Sequence, residues 1–188
     1  MPTTRILLAR HGETEWNRLG RWQGHADPPL NDTGRQQAET LAAQLDDHGI
    51  ASVYSSDLRR ASETAGIVAD RLGLPVTKEP ALREIDVGSW SGLTREEVRE
   101  RYPEGFARWL AGDIGHNGET REQLADRVVG AVERIAQAHP DEHVLVVTHG
   151  GAIRALRRHA AGDPGESLEN GATFPLALVE GELVLREP

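Results

Sequence analysis

The feature that most constrains this chain is the run Val144-Leu145-Val146-Val147, four consecutive apolar residues with a helical pattern on either side. A strand without polar alternation has both faces covered, as in the interior of a parallel sheet. Upstream, Thr120 to Ala138 carries Leu124, Val128, Val132 and Ile135 at helical spacing, with Pro140 beyond it. Downstream, Ala152 to Ala160 is again helical in pattern. Helix, buried strand and helix in succession predict βαβ units.

The same alternation runs through the rest of the chain. Arg5 to Ala9 and Ile50 to Tyr54 read as strands, and Pro75 to Thr77 as a short edge strand. Asp32 or Thr33 is the expected cap of a helix that carries Ala38, Leu41, Ala42 and Leu45 and ends near Gly49. Ala61 to Leu72 predicts another helix, with Gly73 as its C-terminal glycine. Thr94 and Glu97 form a capping box, and Pro103 is expected to stop the helix it opens. Thr173 to Val179 and Leu183 to Leu185 read as a hairpin turning at Glu180-Gly181, which makes the sheet mixed. The expectation is one α/β domain over residues 1–188, three-layered α/β/α, with a mostly parallel mixed sheet and helices on both faces.

Composition narrows the function. The chain has no cysteine, which excludes disulfides, thiolate metal sites and thiol nucleophiles. Its net charge is −9, which disfavours nucleic acid and anionic membranes as partners. No apolar run has the length of a membrane span, and Met1-Pro2-Thr3-Thr4-Arg5 leads into too few apolar residues for a signal peptide. A cytoplasmic protein, monomeric or homodimeric, is the expectation.

Open parallel sheets bind ligands beyond the carboxyl ends of their strands. Arg10-His11-Gly12 follows the first strand, Ser55 to Arg60 the second, and Thr148-His149-Gly150-Gly151 the buried one. Each element has an ordinary alternative. Arg10-His11 alone is a solvated turn, His149 a satisfied loop histidine, and Arg60 a helix cation paired with Glu63 or Glu39. Their convergence on one edge favours function. His25, His48, His116, His139, His143 and His159 lack that context and read as structural.

Arginine forks match phosphoryl oxygens, and histidine is a competent nucleophile toward phosphorus. There is no GxxxxGK[ST] loop and no GxSxG elbow. His139 and His143, four apart, are separated by Pro140 and do not share an unbroken helix face.

Leu8 to Asn17, read Leu-Ala-Arg-His-Gly-Glu-Thr-Glu-Trp-Asn, resembles the Arg-His-Gly signature of the histidine phosphatase, or phosphoglycerate mutase-like, superfamily. The likeness continues in order through Gln23-Gly24, Pro29-Leu30, Thr33 to Ala38, Ser56 to Ala61 with Thr64-Ala65, and Leu82 to Ile85. It runs on through Gly88, Trp90, Gly92, Gly118-Glu119-Thr120 and Val147 to Gly150. The resemblance implies that His11 attacks phosphorus and that Arg10, Arg60 and His149 surround the phosphoryl oxygens. Asn17, Gln23 and Gly150 would complete the binding site. Glu84 would give a proton to the leaving oxygen, and so is expected to titrate high, while His149 is expected to serve as a cation. The ordinary alternative for Glu84 is a surface pairing with Arg83. Neither a metal nor an organic cofactor is implied.

Glu84-Ile-Asp-Val-Gly-Ser-Trp-Ser-Gly92 is similar to the phosphatase branch, and the stretch from Glu84 to His149 is short for a cofactor-dependent mutase. The expected activity is metal-independent hydrolysis of a small phosphomonoester. The mutase and a phospho-ligand-binding protein without turnover are the alternatives. Trp22, Trp90, Phe106 and Trp109 are candidates for an apolar rim, with core packing the commoner role for such residues.

Overall fold

β4 (His143–Thr148) is flanked by two parallel neighbours, β1 (Thr3–Arg10) and β2 (Ser52–Ser55), and every one of its residues is buried. Covering both faces explains why the run from Val144 to Val147 shows no polar alternation. The computed structural model describes residues 3–186. Adding β3 (Val76–Lys78), β5 (Thr173–Val179) and β6 (Glu182–Leu185) gives a six-stranded sheet in the order β3-β2-β4-β1-β5-β6. β3, β2, β4 and β1 are mutually parallel, while β5 pairs antiparallel with β1 and β6 with β5. The mixed sheet of the sequence expectation is therefore present.

Helices cover both faces. α2 (Asp32–Gln44) and α3 (Arg59–Leu72) pack Leu41, Ala42, Ala61, Ala65 and Val68 against Leu7, Ala9, Val53, Leu145 and Val147. α6 (Arg121–Ala138) and α7 (Gly150–Ala161) pack Leu124, Val128, Val132, Ile153 and Leu156 against Ile6, Leu8, Val144 and Val146. Alternate residues of β1 and β4 thus feed opposite cores, each buried side chain contributing about 2 kcal/mol. α3 ends where Gly73 adopts φ 68°, the left-handed cap expected of it.

Local chemistry departs from the sequence reading in three places. The cap of α2 is Asn31, whose side chain accepts from the Gly34 N–H, rather than Asp32 or Thr33. Pro103 follows α4 (Arg95–Arg101) but also opens α5 (Pro103–Leu110), because proline's fixed φ suits a first helical turn as well as it ends the previous one. A one-turn helix, α1 (Glu15–Arg18), forms on a capping box between Thr14 and Asn17. A third core of Val87, Trp90, Val98 and Phe106 packs apart from the other two and reaches the cleft described next through Val87.

Candidate active site

Strand register brings the chemistry together. Arg10 is opposite Thr148 and Ser55 opposite Val147, so the residues that follow, His11, His149 and Ser56, emerge at one level of the sheet. Their backbones are tied: the His11 N–H donates to Thr148 O at 3.0 Å and the Ser56 N–H to Val147 O at 3.0 Å. The cleft above this edge has a volume of about 300 Å³, with Arg10, His11, Arg60 and Glu84 on its walls.

The His11 ring is held by its Nδ1, which donates to Gly12 O at 2.7 Å, so the Nε2 lone pair is the free one. Burial, reinforced by the charges of Arg60 and Arg10, holds its pKa well below 6.5. His11 is therefore neutral and its Nε2 unprotonated at neutral pH. His149 faces it with ring centroids 5.2 Å apart. Burial and Arg60 push its pKa down too, which corrects the expectation of a cation at this position in the ligand-free site. Its Nε2 lies 2.8 Å from Ser56 Oγ, which also accepts from the Leu58 N–H at 3.3 Å. The serine hydroxyl is then free to donate to Nε2, leaving the proton of His149 on Nδ1.

Arg60 is buried and Arg10 half-buried, and both are anchored by backbone carbonyls. Arg60 donates from Nη1 to Ala26 O at 2.7 Å and from Nη2 to Gly24 O at 2.9 Å, not to Glu63 or Glu39. Burial pushes its pKa down to about 10, so it stays charged. Arg10 donates from Nη1 to Leu168 O. Arg10 Nε, Arg60 Nε and His149 Nδ1 are buried and have no hydrogen-bond partner. Buried donors are almost always satisfied, so three together, beside a free histidine nitrogen, fit an acceptor-rich ligand.

Glu84 does not pair with Arg83, which grips Asp57 at 2.6 and 2.7 Å instead. The Glu84 carboxylate turns into the cleft and accepts from Gly151 N at 2.9 Å and Ile85 N at 2.8 Å. A Cβ on Gly151 would lie 2.2 Å from Glu84 Oε1, so only glycine at this position admits the carboxylate. Asn17 and Gln23 also line the cleft. Asn17 Oδ1 accepts from the Thr14 N–H at 3.1 Å and Gln23 Oε1 from the Thr14 hydroxyl at 3.0 Å, which leaves the amide nitrogens for a ligand. Gly150 lines the cleft at the N-terminus of α7, the positive end of that helix.

The family model of the histidine phosphatase superfamily (branch 1) matches residues 6–182. The chain belongs to the histidine phosphatase superfamily. It is similar to the metal-independent phosphoserine phosphatase of Arabidopsis thaliana, 43% identical over 159 residues that make up 81% of this chain and 67% of that one. It is also similar to the glucosyl-3-phosphoglycerate phosphatase of Mycolicibacterium vanbaalenii, 38% identical over 87% of this chain and 77% of its relative. The solved structure of Bacillus stearothermophilus YhfR superposes with a TM-score of 0.91 at 32% identity, over 97% of this chain and 95% of that chain.

In this histidine phosphatase the structure adds residues for which the sequence suggested no role. Asn170 Nδ2 donates to His11 O at 2.9 Å, strapping the loop before β5 onto the backbone of His11. His25, read as structural, donates from Nε2 to Glu84 O at 2.9 Å. Thr64 Oγ1 accepts from Gly12 N at 3.0 Å. Of these, only Thr64 lies in one of the segments that carry the resemblance. Trp22, Ile85, Val87 and Trp109 give the cleft an apolar lining, and Arg21, Arg154 and Ser167 also line it. Trp90 and Phe106 are buried in the core beneath, so the four aromatics divide between the two roles. Among the described residues no group of three or more His, Asp or Glu is arranged to hold a metal ion.

Proposed function

We propose that this protein is a phosphomonoesterase that hydrolyses small phosphorylated metabolites through a phosphohistidine on His11. The observation that carries this reading is the set of unpartnered buried nitrogens on Arg10, Arg60 and His149 beside the unprotonated Nε2 of His11. Phosphoryl oxygens supply the acceptors these donors lack.

In the first step His11 Nε2 forms a bond to phosphorus while the bond from phosphorus to the alcohol oxygen breaks. Glu84, protonated, gives its proton to that oxygen and the alcohol leaves. In the second step Glu84 takes a proton from water, whose oxygen bonds to phosphorus as the phosphorus–nitrogen bond breaks. Inorganic phosphate leaves and both residues return to their starting forms. Arg10, Arg60 and the N-terminus of α7 stabilise the charge on the equatorial oxygens throughout. A dianionic phosphoryl group also favours the protonated form of His149, so the ring can gain its charge on binding. Cations inside a cleft outweigh the overall charge of −9 for a ligand already within it.

The relatives differ in the substrates named for them, so the phosphoryl site is common ground and the mouth of the cleft selects the alcohol. The test is turnover of p-nitrophenyl phosphate with EDTA present, across about pH 5–8 where histidine titrates. Wild type is expected to turn over and His11→Ala to lose all activity. Turnover that survives in His11→Ala removes the phosphohistidine route, and activity abolished by EDTA removes the metal-independent one.

A further inference from the structure

Glu84 sits in a stretch, 83–87, that has no regular structure, between short turns at Pro80–Leu82 and Gly88–Trp90. A proton donor must be placed to a fraction of an ångström, and no sheet ladder or helix does that here. Arg127, on α6, supplies the constraint. Its Nη1 donates to Ala81 O at 2.9 Å and Arg83 O at 2.7 Å, and its Nη2 donates to Glu84 O at 2.8 Å. The guanidinium is itself clamped by Glu119, with Nε to Oε1 at 2.6 Å and Nη2 to Oε2 at 2.7 Å. Glu119 is pinned to the far side of the same stretch: its N–H donates to Asp86 O at 2.8 Å, and the Asp86 N–H donates to its Oε2 at 3.2 Å.

We propose that Arg127, locked by Glu119, is the positioning residue that fixes the reach of the Glu84 carboxyl toward the leaving oxygen. This rests on the reading of Glu84 as the proton donor. Neither Arg127 nor Glu119 lines the walls of the catalytic cleft, so their influence passes through the backbone of residues 81–86. The planar fork is essential to the role. Lysine keeps the charge but cannot hold three carbonyls and a carboxylate at once.

The experiment compares kcat/KM for p-nitrophenyl phosphate, whose leaving group departs without a proton, with kcat/KM for the alkyl ester glycerol 2-phosphate, which needs one. This ratio reports the transfer to His11 and is blind to later steps. In Arg127→Lys the alkyl ester is expected to lose about 10- to 100-fold and the aryl ester at most about threefold. Glu84→Gln is expected to show the same selectivity, more strongly, and adding Arg127→Lys to it to cause no further selective loss. An equal fall on both esters in Arg127→Lys, or no fall, overturns the inference. If Arg127→Lys gives no cooperative thermal melt, Glu119→Gln decides by the same ratio, a selective alkyl loss supporting the proposal and a uniform or absent one overturning it. Should Glu84→Gln itself affect both esters alike, the proton-donor reading fails and this proposal fails with it. Selectivity in Glu84→Gln without selectivity in Arg127→Lys defeats this proposal alone.

Discussion

His11 and His149 stand with ring centroids 5.2 Å apart and planes inclined at 59°, both buried beside Arg60. Neither takes up a proton near its ordinary pKa of 6.5, because burial disfavours the charged ring and the neighbouring guanidinium adds to the penalty. The unfolded chain has no such restraint.

Stability should therefore be full above about pH 6.5 and fall below it, since there the unfolded state binds protons that the folded state refuses. Each of the two histidines contributes a slope of at most about 1.4 kcal/mol per pH unit in that range. Urea unfolding at several pH values should show this slope reduced in His11→Asn/His149→Asn. A remainder is expected from His143 and His116, which burial also shifts downward. Identical slopes in wild type and the double variant contradict the prediction.

Gly34→Ala tests the packing of the loop that carries His11. A Cβ on Gly34 would lie 2.1 Å from Glu13 O, and one on Gly12 would lie 2.3 Å from Gly34 O. Alanine favours the helix of which Gly34 is part, yet the clash with backbone dominates. Destabilisation of about 2 kcal/mol is expected by urea unfolding, together with lost turnover. A stabilised variant would show that helix propensity wins instead.

Ser56→Ala removes the hydroxyl that faces His149 Nε2 at 2.8 Å. A buried ring nitrogen is then left unpaired, at a cost of about 1–3 kcal/mol. The His149 tautomer is also released, so kcat/KM should fall about tenfold or more through lost transition-state contacts. Thermal melts and kinetics together check both effects.

Arg83→Ala should be nearly silent. Its partner is Asp57, both side chains are partly exposed, and such pairs contribute about 0–1 kcal/mol. Activity should stay near the wild-type level, whereas a large loss would mean that Arg83 acts on its chain neighbour Glu84.

The alternation of strands and helices was legible because burial on both faces leaves its mark residue by residue, as in Val144 to Val147. The antiparallel hairpin from Thr173 was equally plain, since Glu180-Gly181 carries turn chemistry between two apolar runs; Glu180 adopts φ 54° there. Less legible were features with two physical readings. Pro103 ends one helix and begins another, and a proline pattern is the same in both cases. Asn31, Asp32 and Thr33 are all competent caps, and only the backbone path selects Asn31.

The sequence by itself determined the layered α/β architecture and the presence of Arg10, His11, Arg60, Glu84 and His149 in recognisable segments, because periodicity and local motif are properties of neighbouring residues. Only the tertiary structure decided what those residues do to one another. That burial and Arg60 push the pKa of His149 down, that Arg83 takes Asp57 and releases Glu84 to the cleft, and that Arg127 and Asn170 brace the site from distant segments all depend on solvent exclusion and long-range register. Those quantities arise when the sheet closes its layers, and no stretch of neighbouring residues encodes them.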